Sequence, residues 1–256
     1  MEGLCKDFGT FRALDNIDLE IREGQMVGLI GPNGCGKSTL MKCVSKIHNV
    51  TAGKISVNGR DILKTNAHET SKMVATVPAE IEQIQNMSVT DMVMLGRYPY
   101  VEKLWWETDE DEVIIRNALK KFGIYEHRKK QVSMLSSGER QRALIAKAYV
   151  QEPELLLVDE PTSHLDLKFK LNVMEHLRSL AKTGMTLLVA EHDISLVSRY
   201  CDYCFIMKQG KIVTSGVPSE IITEDLMREV YEVEARVGTD IDGELYVLPK
   251  RSTGEV

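Results

Sequence analysis

The sequence predicts an α/β fold with a mainly parallel sheet, an antiparallel β portion near its start and an inserted helical segment. Short, strand-sized apolar runs close the stretch 17–31 and recur at 155–158 and 185–190, as expected of strands buried on both faces. Helical periodicity follows each of them, and strands alternating with helices imply parallel neighbours. Between Pro78 and Pro153 the pattern is helical instead, which marks 81–150 as a candidate subdomain.

Taken in order, 17–31 (IDLEIREGQMVGLIG) reads as a strand, a tight turn at Glu23-Gly24 and a buried strand. A glycine-rich loop follows, and from Ser38 the pattern turns helical (STLMKCVSKI). Residues 53–57, Asn58-Gly59 and 60–62 suggest a strand and a hairpin turn. The run MVATVP at 73–78 reads as a short strand stopped by Pro78. Ser88 with Asp91 three positions on is a capping pattern. Residues 109–123 carry acids in the first turn, Lys120 and Lys121 in the last, and Gly123 beyond, the charge order that a helix dipole favours. After Pro153 come a strand (LLLVDE), a helix with Val173, Met174, Leu177, Leu180 and Ala181 on one face, a strand (MTLLVAEH), a helix, and a strand (CFIMKQGKIV). Residues 219–234 read as a helical tail, and Asp242-Gly243 predicts a terminal hairpin.

Composition excludes several functions. A chain of 256 residues with 38 acidic and 32 basic side chains, net −6, has no basic block able to track a phosphate backbone, so no nucleic-acid partner is expected. No apolar run approaches the ~20 residues that span a bilayer. The first residues, MEGLCKDFG, lack the basic start and apolar run of a secretory signal, so a cytoplasmic, reducing setting is expected. Five cysteines include one CxxC pair, Cys201 and Cys204, with no second pair or nearby histidine, and packing is its expected role.

Gly31-Pro-Asn-Gly-Cys-Gly36-Lys37-Ser38 fits GxxxxGK[ST] and lies between a buried strand and a helix, the context in which that pattern cradles phosphates. It predicts a P-loop NTPase core. Glycines let backbone N–H groups wrap the phosphates, the helix points its positive end at them, Lys37 neutralises the terminal phosphates and the Ser38 hydroxyl is placed to ligate Mg²⁺. Gly31, Asn33, Gly34, Cys35, Gly36 and Thr39 are counted with the loop as nucleotide-contacting positions, Cys35 as a small space-filler. Asp159 and Glu160 close the strand LLLVDE at its carboxyl end, where open parallel sheets present ligand groups. Asp159 is the expected Mg²⁺ partner, and Glu160 is expected to accept a proton from an attacking water or hold that water in line. His192 ends the next strand and is placed to hydrogen-bond the terminal phosphate. ATP and Mg²⁺ are therefore the expected substrate and cofactor.

Between these motifs stands Leu135-Ser136-Ser137-Gly138-Glu139-Arg140-Gln141, which resembles the signature sequence of ABC-type ATPases. The phosphate loop, this segment, LLLVDE, Ser163-His164-Leu165-Asp166 and His192 occur in that family's order, from Phe8 to about Val237. The resemblance implies an ATP-binding core at 1–80 and 151–237, a helical subdomain at 81–150 carrying the signature, and a C-terminal hairpin at 238–256. It implies that Phe8 stacks on adenine, and that Ser136, Ser137, Gly138 and Glu139 open a helix meeting the terminal phosphate of ATP held by the opposite subunit. Asp166 would lie in the loop linking two sites across a homodimer.

Gly96-Arg97-Tyr98-Pro99, Pro161-Thr162-Ser163-His164-Leu165-Asp166 and the tail LMREVYEVEA look like those of ATP-binding subunits of importers for iron-siderophores, haem and cobalamin. That implies an ATPase on the cytoplasmic face of the membrane, held by an integral membrane permease and served indirectly by a substrate-binding protein. A soluble ABC ATPase acting on a protein assembly, such as iron-sulfur cluster biogenesis, is the alternative, as is a binding module without turnover.

Three positions depart from the family pattern. Ala79 stands where glutamine is usual, which implies weaker coupling to the permease unless Glu80, Glu82 or Gln83 substitutes. Ser137 replaces the commoner signature glycine but remains competent to cap a helix. Only seven residues precede Phe8, so the first strand of the family fold is expected to be shortened, either because the true start lies upstream or because the edge is frayed.

Overall fold

The computed structural model describes residues 1–79, 86–100 and 109–253. Its first layer is an antiparallel sheet of β1 (Glu2–Phe8), β2 (Phe11–Ile17) and β4 (Ala52–Lys54), with β1 in the centre. The predicted fraying does not occur: β1 pairs β2 on one edge and β4 on the other. Nor is 17–23 a strand. The pairing partner of β1 is β2, and between Ile17 and β3 (Met26–Ile30) the chain is irregular, with a turn at Glu23-Gly24. The alternation in IDLEI has a packing origin, since Ile17 and Leu19 both enter the core.

The central sheet has the order β11-β10-β3-β9-β8-β7. It contains β7 (Val74–Val77), β8 (Leu155–Asp159), β9 (Thr186–Ala190), β10 (Tyr203–Lys208) and β11 (Lys211–Gly216). All neighbours are parallel except β10 and β11. CFIMKQGKIV is thus two antiparallel strands, turned at Gln209 and Gly210, both with positive φ. The apolar strands divide their side chains by period two. Met26, Ile30, Leu156, Val158, Leu187 and Val189 pack on one face, and Val27, Leu29, Leu155, Leu157, Leu188 and Ala190 on the other.

The second face is covered by α1 (Lys37–Val44) and the antiparallel layer. The first face carries α5 (Ser137–Tyr149), α6 (Leu167–Lys182) and α7 (Ile194–Tyr200), with α3 (Val89–Met94) and α4 (Asp109–Lys121) beyond. The five residues expected on the apolar face of α6 are its buried residues. The helical segment shares one continuous core with the sheet: Val89, Met92, Phe122 and Leu144 join the cluster that holds Ile30 and Val158. Ser88 and Asp91 form the reciprocal cap of α3, and α4 follows the predicted charge order.

Arg97 joins this segment together. It is buried, donates to Asp111 (2.8 Å), Glu152 (2.6 Å) and the Val150 carbonyl (2.8 Å), and lies 4.2 Å from the Tyr100 ring centre.

The β5–β6 hairpin (Ser56–Val57 and Arg60–Asp61) turns at Asn58-Gly59 as its sequence predicts. A helix absent from that reading, α2 (Ala67–Met73), is set by a reciprocal cap between Asn66 and Glu69. The predicted helical tail is only partly helical. α8 (Pro218–Ile221) and α9 (Glu224–Tyr231) end where Glu232 takes a left-handed conformation. From there β12 (Val233–Thr239) and β13 (Leu245–Ser252) form an antiparallel hairpin around Asp242-Gly243.

Candidate functional site

Three parallel strands deliver the site to one edge of the central sheet. β3 ends at the loop 31–36, β8 ends at Asp159, and β9, paired between them, leads to Glu191 and His192. The loop must pass close under the sheet: a Cβ at Gly31 would come within 2.2 Å of the Met207 carbonyl oxygen, so only glycine fits. Lys37, almost fully buried, donates from Nζ to the carbonyls of Gly31 (2.8 Å) and Pro32 (3.4 Å), placing its charge inside the loop. Cys35 is buried as a filler, with Lys37 Nζ 3.9 Å from its sulfur.

A cleft of about 300 Å³ opens here, lined by Asn33, Gly34, Cys35, Gly36, Lys37, Ser38, Thr39, Glu160 and His192 together with Phe11 and Ala13. Ser38 Oγ donates to Asp159 Oδ1 at 3.3 Å. Burial pushes the Asp159 carboxyl above its usual range, which the Ser38 hydrogen bond only partly offsets. Such a carboxylate, paired with a hydroxyl at the mouth of a phosphate loop, has the hard oxygen donors that Mg²⁺ takes.

Glu160 adopts a left-handed backbone, φ 46°, a conformation that costs energy for a residue with a side chain. Its N–H donates to the Ala190 carbonyl at 2.9 Å. Its Oε1 hydrogen-bonds His192 Nε2. A base and an orienting imidazole in contact above a phosphate loop can hold a water in line with a terminal phosphate.

The aromatic at the cleft is a different one from that expected. Phe8 and Phe11 are cross-strand partners at the tip of the β1–β2 hairpin. Phe11, 65% exposed, lines the cleft. Phe8, 44% exposed, packs edge-on against His48 with ring centres 5.3 Å apart, and Lys6 Nζ lies 4.5 Å from its ring centre. Sequence reading passed over Phe11, although an aromatic beyond the Gly9-Thr10 turn was the available signal.

Ser136, Ser137, Gly138, Glu139 and Asp166 do not line this cleft. Ser136 caps α5: its Oγ accepts from Glu139 N–H (3.3 Å), and Glu139 Oε2 accepts from Ser136 N–H (2.8 Å) and Oγ (2.9 Å). Hydrogen bonds from the Ser136 backbone and side chain hold the Glu139 carboxyl below its usual range. His127 Nε2 lies 2.9 Å from Glu139 Oε1. Glu139 is therefore occupied in holding the helix start. Gly138 is required by packing, because a Cβ there would lie 2.7 Å from the Phe169 ring. Ser136 and Ser137 remain exposed. Asp166 caps α6 by accepting from Phe169 N–H at 3.1 Å. Ala79 ends the described segment after β7, and Glu80, Glu82 and Gln83, proposed from sequence as its substitutes, lie outside the described residues.

Comparison with known proteins agrees with this geometry. A family model described as ABC transporter matches residues 14–163. The iron(3+)-hydroxamate import ATP-binding protein of Bacillus subtilis is 36% identical over 93% of this chain and 89% of its own length. The cobalamin import ATP-binding protein of Halobacterium salinarum is 35% identical over 93% of this chain, which spans 60% of that relative. Among solved structures, an inward-facing putative metal-chelate type ABC transporter superposes with a TM-score of 0.84 at 25% identity, covering 98% of this chain and 97% of that one. A dimeric bacterial ABC transporter cassette gives 0.75 at 25% identity, covering 85% of this chain and 97% of that one.

Proposed function

Since the chain belongs to the ABC transporter family as an ATP-binding, ATP-hydrolysing subunit, we propose that it drives an importer of metal chelates of the siderophore, haem or cobalamin type. In this reading two copies sandwich two Mg-ATP on the cytoplasmic face of the membrane, docked on an integral permease that receives its cargo from a substrate-binding protein.

One observation carries the dimeric part of this reading. The hydrolytic groups Lys37, Ser38, Glu160 and His192 gather at one cleft, with Asp159 bonded to Ser38 beside it, while the exposed N-terminus of α5 at Ser136 and Ser137 is not among its lining residues. A helix N-terminus attracts phosphate through its free N–H groups and its dipole. In a head-to-tail dimer, the Ser136 end of one copy covers the terminal phosphate held by the other. The likeness to a dimeric cassette supports that arrangement.

Within the cleft, loop N–H groups and Lys37 bind the β- and γ-phosphates. Ser38 and Asp159 would hold Mg²⁺, which supplies charge neutralisation to the phosphates. Phe11, or Phe8 after a side-chain rotation, offers a face to the base. Glu160 holds the attacking water and takes its proton, and His192 fixes the Glu160 carboxylate. Closure on ATP and opening after phosphate release provide the motion that the helical segment, 81–150, passes to the permease.

Sedimentation of the Glu160→Gln variant with Mg-ATP tests the proposal, with a stable dimer expected. A monomer under those conditions, together with wild-type turnover that is indifferent to Ser136→Arg, would overturn it.

A further inference from the structure

A buried carboxylate stands beside the proposed hydrolytic pair without lining the cleft. Glu191 follows β9 directly, is 2% exposed, and shares its two oxygens between two segments. Oε1 accepts from Thr162 Oγ1 at 2.6 Å, and Oε2 accepts from the His192 backbone N–H at 3.0 Å. An ionisable group buried so deeply is costly unless its hydrogen bonds are satisfied. Burial raises its pKa, and bonds from Thr162 and from the backbone of His192, Asp193 and Thr162 lower it in part.

The two partners belong to different segments, one after β8 and one after β9. Thr162, itself 2% exposed, sits in the turn that leaves Glu160, and the neighbouring Ser163 Oγ donates back to the Glu160 carbonyl at 2.9 Å. His192 carries the ring that meets the Glu160 carboxylate. A closed circuit results: Glu160 to His192 through side chains, His192 to Glu191 through the main chain, Glu191 to Thr162 through the hydroxyl, and Thr162 to Glu160 along the chain.

We propose that Glu191 is a positioning residue for hydrolysis, clamping the turn after Glu160 to the His192 main chain so that the Glu160–His192 contact keeps its geometry. The inference rests on the proposed hydrolytic role of Glu160 and His192. It assigns to Glu191 no contact with nucleotide, so its loss acts on turnover and leaves affinity alone.

The chemistry distinguishes a clamp from a charge. Glutamine retains an oxygen for the His192 N–H but turns an amide toward Thr162, whose hydroxyl can accept from it while its backbone N–H, which also faces the carboxylate, loses its acceptor. Methionine fills the volume and bonds neither. The test measures kcat, ATP affinity by fluorescent-nucleotide titration and melting temperature for Glu191→Gln, Glu191→Met, Thr162→Val, Thr162→Ser and the Glu191→Met/Thr162→Val double variant. Misplacing a reacting group by about 1 Å costs up to ~10²-fold, so Glu191→Met and Thr162→Val are expected to lose kcat by about 10-fold or more at unchanged ATP affinity. Thr162→Ser is expected to stay near wild type, and Glu191→Gln to lose less than Glu191→Met. The double variant should match Glu191→Met within about 2-fold, since one clamp is removed only once.

Wild-type kcat in Glu191→Met, multiplying losses in the double variant, or loss that follows ATP affinity would overturn the inference. If Glu191→Met does not fold, the contrast between Thr162→Val and Thr162→Ser decides alone. Unimpaired turnover in Glu160→Gln, measured alongside, would instead remove the reading on which the inference stands.

Discussion

The strand-end cluster and the α5 cap are built in opposite ways. At the strand ends, Lys37, Ser38, Asp159, Glu160 and His192 come from three segments more than 100 residues apart in part, and Ser38 reaches Asp159 across 121 positions. At the α5 cap, Ser136 and Glu139 bond one another three residues apart. The first arrangement exists only when the parallel sheet is complete, and the second needs one helical turn. A site assembled by a sheet needs every strand in place, whereas a capped helix start is held by its own turn. Under the proposed function, the first supplies the groups of one copy and the second the end that meets its partner.

The largest expected effect strikes the sheet-built side. Glu160→Gln should remove general-base assistance worth about 10²–10⁴-fold in kcat, with ATP affinity retained, as phosphate release and nucleotide titration will read. Turnover at the wild-type rate would place the base elsewhere.

Next, the hairpin tip separates the two phenylalanines. Base stacking on an aromatic is worth ~1–3 kcal/mol by alanine substitution, so Phe11→Ala should weaken ATP binding by about that amount. Phe8→Ala should cost less, because its ring is engaged with His48. The reverse order, by calorimetry, would return the base to Phe8.

The helix-built side should respond to packing. Gly138→Ala drives a methyl group into the Phe169 ring, and overpacking of this kind costs about 1–3 kcal/mol. Denaturant unfolding should show it, and Gly138→Ala with Phe169→Leu should recover part of the loss. Removing the cap by Ser136→Ala should cost ~1 kcal/mol, with turnover falling further than stability if this helix end covers the partner's phosphate.

The smallest effect depends on pH. Glu139 has a lowered pKa through its bonds from Ser136, so its carboxylate stabilises the fold above the unfolded carboxylate value and that contribution fades as pH falls through the folded value. Glu139→Gln should therefore melt lower than wild type near neutrality, and the gap should narrow as pH falls below the ordinary glutamate range. A constant gap across that range would show that the charge is not what holds the cap.

A local signal in the chain foretold the cap of α3, since Ser88 with Asp91 is a bond within one turn; the Ser136–Glu139 cap is a bond of the same kind that was not expected. The terminal hairpin at Asp242-Gly243 was readable for the same reason. Errors arose where pairing, and not pattern, decides. IDLEI alternates like a strand, yet β1 pairs instead with 11–17, and KQG inside a continuous apolar run is a turn because β11 folds back on β10. Arg97 belongs to a family-associated motif, but of the groups that hold it Asp111, Val150 and Glu152 come from other segments.

By itself the sequence determined the phosphate loop, the two carboxylates at the end of β8, the helix that opens at the signature and the alternation that makes a parallel sheet. These are properties of residue type at short spacing, where backbone geometry and side-chain reach leave few alternatives. Only the tertiary structure decided that Phe11 faces the cleft, that Gly138 yields to Phe169, and that Glu191 ties Thr162 to His192. Each of those depends on which remote atom fills a few ångströms of space, and that is set by how the layers pack.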